Sequence, residues 1–464
     1  MNRVHGTETE WSVRVEAMGS TPDEPKSKEL EASCFKPYVE AYLADKPYVG
    51  TPADSCYLEN GSRFYADIGH KRETTTPEDT SYLSTTASEI ANERMMFDIL
   101  SWATYPDPGQ DGLEPLPNFA LNKRVIGDDN VAWGYHESYN VPANIPITEE
   151  GLALYGLHIA TRNIFCGAGF LDTNGKFWSS QKALSMRTEF SGNTTSSRPV
   201  INARDEPHSN TESKRIHTIS GDPSMSPWVT RMQLGTTSLV LELLAQGTDA
   251  GQFAFEALRH KRLAKFMRDL AADSSGQSHE FSAALEVQKK FVQMSKKLSL
   301  TEEQEWTVDE WEHICYDLGN NLAVAGNRVE WILQRRILER YQEKHAYVWT
   351  DLAMRQQDRR FCRIGDNSIG LSLRETAWSE WMPPESLIQE RRTEAPQTTR
   401  AAIRSKFIKA FSRLNGYGSG EVAVDWKEVK YNGASIKLAD PYATADERVD
   451  ELIASHASNS QVAA

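Results

Sequence analysis

"NGSRFYADIGH", residues 60–70, opens on a turn signal and then alternates with a period of two. Residues two apart share one side of a strand. Phe64, Ala66 and Ile68 therefore form one face, and Arg63, Tyr65 and Asp67 the other. The first set makes a core face. The second is polar and needs partners from elsewhere in the chain. "GTETEWSV", residues 6–13, supplies them: alternation groups Glu8 with Glu10 and places Thr7 and Thr9 opposite. Glu73 and Glu78 follow in "HKRETTTPED".

Carboxylates gathered this closely raise one another's pKa values unless a cation sits between them. Oxygen donors without cysteine suit a hard ion, Mg²⁺ or Mn²⁺. Any one of these glutamates reads as part of a polar outer strand, with ion pairs such as Arg63–Glu73. The set as a whole, on alternating positions near the start of the chain, reads as a metal site.

Two further polar groups fall where strands are expected. "GYHESY" carries His136 and Glu137. "RPVINARDEPHSN" carries Arg198, Arg204, Asp205, Glu206 and His208, and "KRIHTISGD" adds His217. Guanidinium groups bind phosphate oxygens in a fork while carboxylates hold a metal, so this mixture fits a metal–nucleotide site. A lone histidine is more often structural, but three among arginines and carboxylates point toward function. No GxxxxGK[ST] or GxGxxG run is present, which disfavours a P-loop or Rossmann binder. Side chains on a sheet must hold the phosphates.

The 464 residues are enough for two or three domains, or for one large domain with an appendage. A formal net charge of −14 argues against a general nucleic-acid binder. Five scattered cysteines with no CxxC pair predict free thiols in a reducing compartment. The opening "MNRVHGTETEW" lacks the apolar core of a signal peptide, and no stretch reaches membrane-spanning length, so a cytoplasmic protein is expected.

Residues 84–104 and 151–170 have helical patterning, and 105–118 form a Pro- and Gly-rich loop. Strands and long loops are expected from 176 to 220 and helices from about 228 to 345. In the last of these, Val329, Leu333, Ile337 and Tyr341 form a stripe. A linker is expected at 381–401, then one helix and short strands, with a disordered tail at 453–464. Basic clusters at 259–268, 355–363 and 404–413 are candidate guides for an acidic peptide, though each alone reads as a solvated helix face.

"GTETEW", "ENGSRFYADIGH", "GYHESYN", "SSRPVINARDEPHSN", "RIHTISGDPSMS", "PQTTRA" and "VDW" stand in the order found in the Pup ligase family, proteasome accessory factor A, and this chain resembles it over nearly its whole length. The deamidase of Pup is a close relative. The resemblance implies an α+β fold like that of glutamine synthetase: a large domain with a curved antiparallel sheet cradle backed by helices (1–385) and a small C-terminal domain (386–464). It implies ATP and Mg²⁺ as cofactors. The partners implied are a small Pup-like protein tag and lysine-bearing targets, with a functional link to the proteasome. By position it implies magnesium at Glu8, Tyr65 and Glu73, with Glu10 beside them. It implies nucleotide contacts from Arg63, Thr76 and Trp426, with Arg204 and His217 joining them, and a catalytic base at Asp67. The family's His-Pro-Glu-Tyr run is "HKRET" here, and its Lys-Asn-Asn is "LNKR", which keeps Asn122.

Ligase and deamidase share these motifs. The short separation of the two carboxylate strands (residues 11–59) and the C-terminal motifs favour the ligase. A deamidase, a non-catalytic tag-binding protein and a small-molecule carboxylate–amine ligase are the alternatives.

Overall fold

Thr7, Thr9 and Trp11 turn one face of the first strand into the core, and this fixes the register of the sheet around it. The computed structural model describes residues 3–15, 36–51, 54–67, 71–104, 119–127, 132–204, 208, 210–247, 262–412 and 422–462. Among the described residues, the main sheet has nine strands. They are β1 (His5–Val15), β2 (Tyr48–Thr51), β3 (Ser55–Leu58), β4 (Arg63–Asp67), β5 (Lys71–Thr75), β6 (Phe119–Asn122), β7 (Tyr135–Pro142), β12 (Ser213–Thr218) and β13 (Arg363–Ile364). The order is β12–β7–β1–β5–β4–β3–β2, with β6 pairing the far end of β1 and β13 pairing β6. Every pairing in this sheet is antiparallel.

Helices cover one face. Helix Tyr82–Thr104 runs behind β1 and β5, where Asn92 Nδ2 donates to the Thr75 carbonyl at 3.0 Å and Trp11 Nε1 donates to Thr74 Oγ1 at 3.0 Å. Helices Ala153–Thr161, Pro227–Ala245, His279–Ser295 and Glu302–Asn320 bury Tyr139, Val141 and Ile216 from β7 and β12 in one large apolar core. Each such side chain contributes about 1.5–3 kcal/mol when fully buried. The other face of the sheet is left to polar residues.

Outside this sheet, β8 (Phe170–Leu171) and β9 (Phe177–Trp178) form a small hairpin. β10 (Thr188–Ser191) and β11 (Pro199–Asn202) pair in parallel. β14 (Val422–Asp425), β15 (Glu428–Tyr431) and β16 (Ala434–Lys437) form a three-stranded sheet. Helices Ala401–Phe411 and Glu447–Val462 close a separate core over it, built on Phe407, Phe411, Val429, Ile436 and Val449.

Three local expectations are corrected. Residues 381–401 hold a helix, Glu385–Thr393, because Leu387 and Ile388 have an apolar seat against Ala87 and Ile90 of helix Tyr82–Thr104. The segment 453–464 is helical to Val462 rather than disordered: Leu452 and Ile453 pack on the C-terminal core, and His456 Nδ1 lies 3.1 Å from Tyr431 Oη. In helix Glu330–His345 the buried face runs through Trp331, Gln334 and Leu338, while Leu333 and Tyr341 of the expected stripe are only partly buried. A strict four-residue repeat drifts around a 3.6-residue helix. Among the described residues, Cys56, Cys166, Cys315 and Cys362 are buried free thiols, and no helix is long and apolar enough to cross a membrane. Cys34 lies outside the described residues.

Candidate active site

The polar face of the sheet assembles by register. Glu8 of β1 lies opposite Thr75 of β5 on one side and His136 of β7 on the other. Glu10 faces Glu73, Tyr65 faces Glu73, Arg63 faces Thr75 and Asp67 faces Lys71. His217 of β12 faces Ser138. All of these side chains but Ser138 line a cavity of about 370 Å³, together with Lys182, Arg198, Arg204, His208 and Arg215. Trp426 also lines it. Gly134 leaves the space the cluster needs, since a Cβ there would sit 2.6 Å from Glu10 Oε1 and 2.8 Å from His136 Nε2.

Two groups within the cavity have the spacing of metal ligands: Glu8 with His136 and His217, and Glu10 with Asp67 and Glu73. His136 Nδ1 lies 3.2 Å from Glu8 Oε2 and 3.9 Å from Glu73 Oε1. Arg215 Nη1 lies 3.9 Å from Glu8 Oε1, and His217 Nδ1 3.1 Å from Ser138 Oγ. Burial pushes the Glu8 carboxyl up, but the His136 hydrogen bond and the Arg215 charge oppose it, and Glu8 lies below its ordinary range. Glu73 moves the other way, raised by burial and by the charges of Glu8 and Glu10. Burial and the Arg215 charge keep the His217 imidazole neutral. Burial and the carboxylates of Glu8 and Glu73 hold the Tyr65 phenol protonated. Glu73 Oε1 is buried with no hydrogen-bond partner. An orphaned carboxylate oxygen among oxygen donors is the chemistry a divalent ion fits.

A second, more apolar cavity of about 80 Å³ adjoins the first and shares Glu8, Thr75, His208, Arg215 and Trp426 with it. Val4, His5, Thr76, Tyr139, Arg400 and Pro441 are among the others on its wall. Thr76 is buried, and its Oγ1 accepts the Thr7 N–H at 2.9 Å. Trp426 is held from behind: Arg404 donates to its carbonyl at 3.1 Å and lies over its ring at 4.8 Å, while the Tyr57 ring meets it edge-on at 5.3 Å. Arg63 donates to Ser55 Oγ at 2.9 Å and lies over the Tyr65 ring at 4.4 Å.

Every described candidate for metal, nucleotide or base lines one of these two cavities. Two of the polar residues singled out beside them have other places. Glu137 points to the opposite face, where it accepts from Arg162 Nη1 at 2.9 Å and from Tyr139 Oη at 2.5 Å. Glu78 borders the smaller cavity but is engaged by Arg400 at 3.0 Å and by Arg404. Arg404 thus leaves the basic cluster at 404–413 for a buried structural role. Asp205 and Glu206 lie outside the described residues. Arg215, Lys71 and Lys182 join the site without having been singled out. Arg215 was findable, since it shares a strand face with His217. Lys182 comes from the 3₁₀ turn Lys182–Ser185, which has no strand periodicity to reveal it.

A family model described as Pup-ligase protein matches residues 3–430. Pup--protein ligases of Corynebacterium kroppenstedtii and Gordonia bronchialis are 29% and 28% identical, each over 98% of this chain and over 97% and 99% of the relative. The crystal structure of the complex between prokaryotic ubiquitin-like protein Pup and its ligase PafA matches with a TM-score of 0.78 at 22% identity, covering 98% of this chain and 92% of that one. The Pup ligase PafA in complex with ADP matches at 0.74 and 22%, covering 96% and 97%. These two likenesses show the fold, which is α+β. By a match that takes in both the carboxylate strands and Trp426, the chain belongs to the Pup-ligase protein family.

Proposed function

We propose that this chain is an ATP-dependent ligase that joins the side-chain carboxylate of the C-terminal glutamate of a Pup-like protein tag to lysines of target proteins. The observation that carries the proposal is the convergence of carboxylates, histidines and arginines in one cavity that opens onto a second, Trp426-walled one. A nucleotide base suits the smaller cavity, and its phosphates then reach the arginines of the larger. The names of the curated relatives support ligation, and the PafA complexes with Pup and with ADP support the tag and the nucleotide. Tagged targets would pass to a proteasome.

A carboxylate does not react with an amine unaided, because its oxygen is a poor leaving group. In the proposed reaction, a tag carboxylate oxygen attacks the γ-phosphorus of ATP and the bond to the ADP oxygen breaks, leaving an acyl phosphate. The lysine nitrogen then attacks the acyl carbon, and phosphate leaves with the electron pair of the C–O bond. Arg63, Arg204 and Arg215 offset phosphate charge, and neutral His217 lines the same wall without adding any. Glu8, Tyr65 and Glu73 would hold Mg²⁺, which supplies electrostatic stabilisation of the transferring phosphoryl group. An unperturbed lysine titrates near ~10.4 and is mostly protonated at neutral pH. Asp67, on the cavity wall, takes that proton as the amine attacks.

Asp67→Asn tests this. Conjugation in a purified reaction with tag, target and Mg–ATP should fall by roughly 10²–10⁴-fold while ATP binding persists. Conjugation at the parent rate would remove Asp67 from the mechanism.

A further inference from the structure

Lys71 lines the same cavity as the carboxylate group formed by Glu10, Asp67 and Glu73, and pairs with its Glu10 member. Its Nζ lies 3.1 Å from Glu10 Oε2, is fixed by a 3.2 Å hydrogen bond to the Ala132 carbonyl, and sits 5.8 Å from the centre of the Trp133 ring. The strand register sets it directly opposite Asp67 and two residues before Glu73 on the same face. Lys182 lines the same cavity, its buried Nζ donating to the Trp133 carbonyl at 2.6 Å. Lys71 and Lys182 thus bring two amine nitrogens to the wall that carries Glu10, Asp67 and Glu73. In the second ligand group, Glu8 has the Arg215 guanidinium at 3.9 Å and no lysine in an ion pair among the described residues.

We infer that the Lys71 ammonium is a built-in cation that occupies the Glu10 corner of the cradle in place of a second divalent ion, so that metal binding is confined to the Glu8–Tyr65–Glu73 side. A tethered ammonium gives up one unit of charge relative to a metal ion. In return, it is present at any free-metal concentration and cannot be removed by chelation. Its role is that of a positioning residue, because it fixes Glu10 and screens the carboxylates beside Asp67. The inference rests on the ligase reading for the presence of a metal–nucleotide site.

The test counts Mn²⁺ ions bound per chain, by the loss of the free-Mn²⁺ paramagnetic resonance signal, with and without a non-hydrolysable ATP analogue. Wild type is compared with Lys71→Ala, Lys71→Gln and Lys71→Arg, each checked for folding by circular dichroism. The neutral variants are expected to take up one Mn²⁺ more than wild type, and Lys71→Arg the same number as wild type. The inference is overturned if the folded neutral variants hold no more ions than wild type, or if wild type already fills two sites beyond the nucleotide's own ion. Absence of any nucleotide or Mn²⁺ binding by wild type would instead overturn the metal–nucleotide reading. The ion count of the variants would still decide the role of Lys71.

Discussion

Trp426 is the single residue on which nucleotide binding should depend most visibly, because it is the one large aromatic side chain among the residues that the two cavities share. Base–aromatic stacking is worth about 1–3 kcal/mol, so Trp426→Ala should weaken ATP-analogue binding by about 5- to 150-fold while Trp426→Phe keeps most of it. Calorimetric titration measures both, and an unchanged affinity for the alanine variant would place the base elsewhere. At this scale much of the site was legible. Period-two alternation alone placed Glu8 beside Glu10 and put Arg63, Tyr65 and Asp67 on one face, as the register shows. The same rule argues against treating His136 and Glu137 as a pair, since adjacent strand residues point apart, and Glu137 is bound to Arg162 behind the sheet. The roles of Lys71 and Lys182 were not legible, because a lysine's reach depends on what lies across the strand or turn that carries it.

Among the elements, helix Tyr82–Thr104 does more than cover the sheet. It presents Glu89 and Glu93 to Lys123, whose Nζ lies 2.5 and 2.7 Å away and donates to the Ser224 carbonyl at 2.8 Å. All three side chains are almost wholly buried. Removing one partner from such a set strands a charge in a poorly solvated place, at a cost of about 3–5 kcal/mol. Lys123→Met should therefore lower the urea midpoint by that equivalent with an unchanged slope. A shift below about 1 kcal/mol would show that the carboxylates find other partners or protonate. This network had no signature in the sequence, where Lys123 is separated from Glu93 by a loop-rich interval. Helix Glu385–Thr393 was hidden for a similar reason. Its prolines and charges read as a linker, and only the apolar seat on Ala87 and Ile90 makes it a helix.

Over the whole molecule, the C-terminal unit is tied to the main sheet through Glu78. Arg400 and Arg404 reach this carboxylate, and Arg404 also donates to the Gly61 carbonyl at 3.0 Å. Thr399 Oγ1 adds a 2.7 Å bond to the Glu78 carbonyl. Burial raises the Glu78 pKa, but the two arginines more than offset this and bring it down to about 2 from an ordinary 4.5. A depressed carboxylate stabilises the fold above its unfolded pKa and loses that contribution as pH falls toward the folded one. The stability gap between wild type and Glu78→Gln, from urea unfolding, should thus be full at neutral pH and shrink as pH falls from about 4.5 to about 2. A gap that does not change over this range would remove Glu78 as the tie.

The site's parts are also far apart in the order in which the chain is made. Glu8 finds its neighbours on β5 and β7, whereas the aromatic wall waits for residue 426. Contacts so distant along the chain form late and slowly. A growing chain can therefore pair the strands of its acidic floor well before the indole at residue 426 is available to wall the cavity.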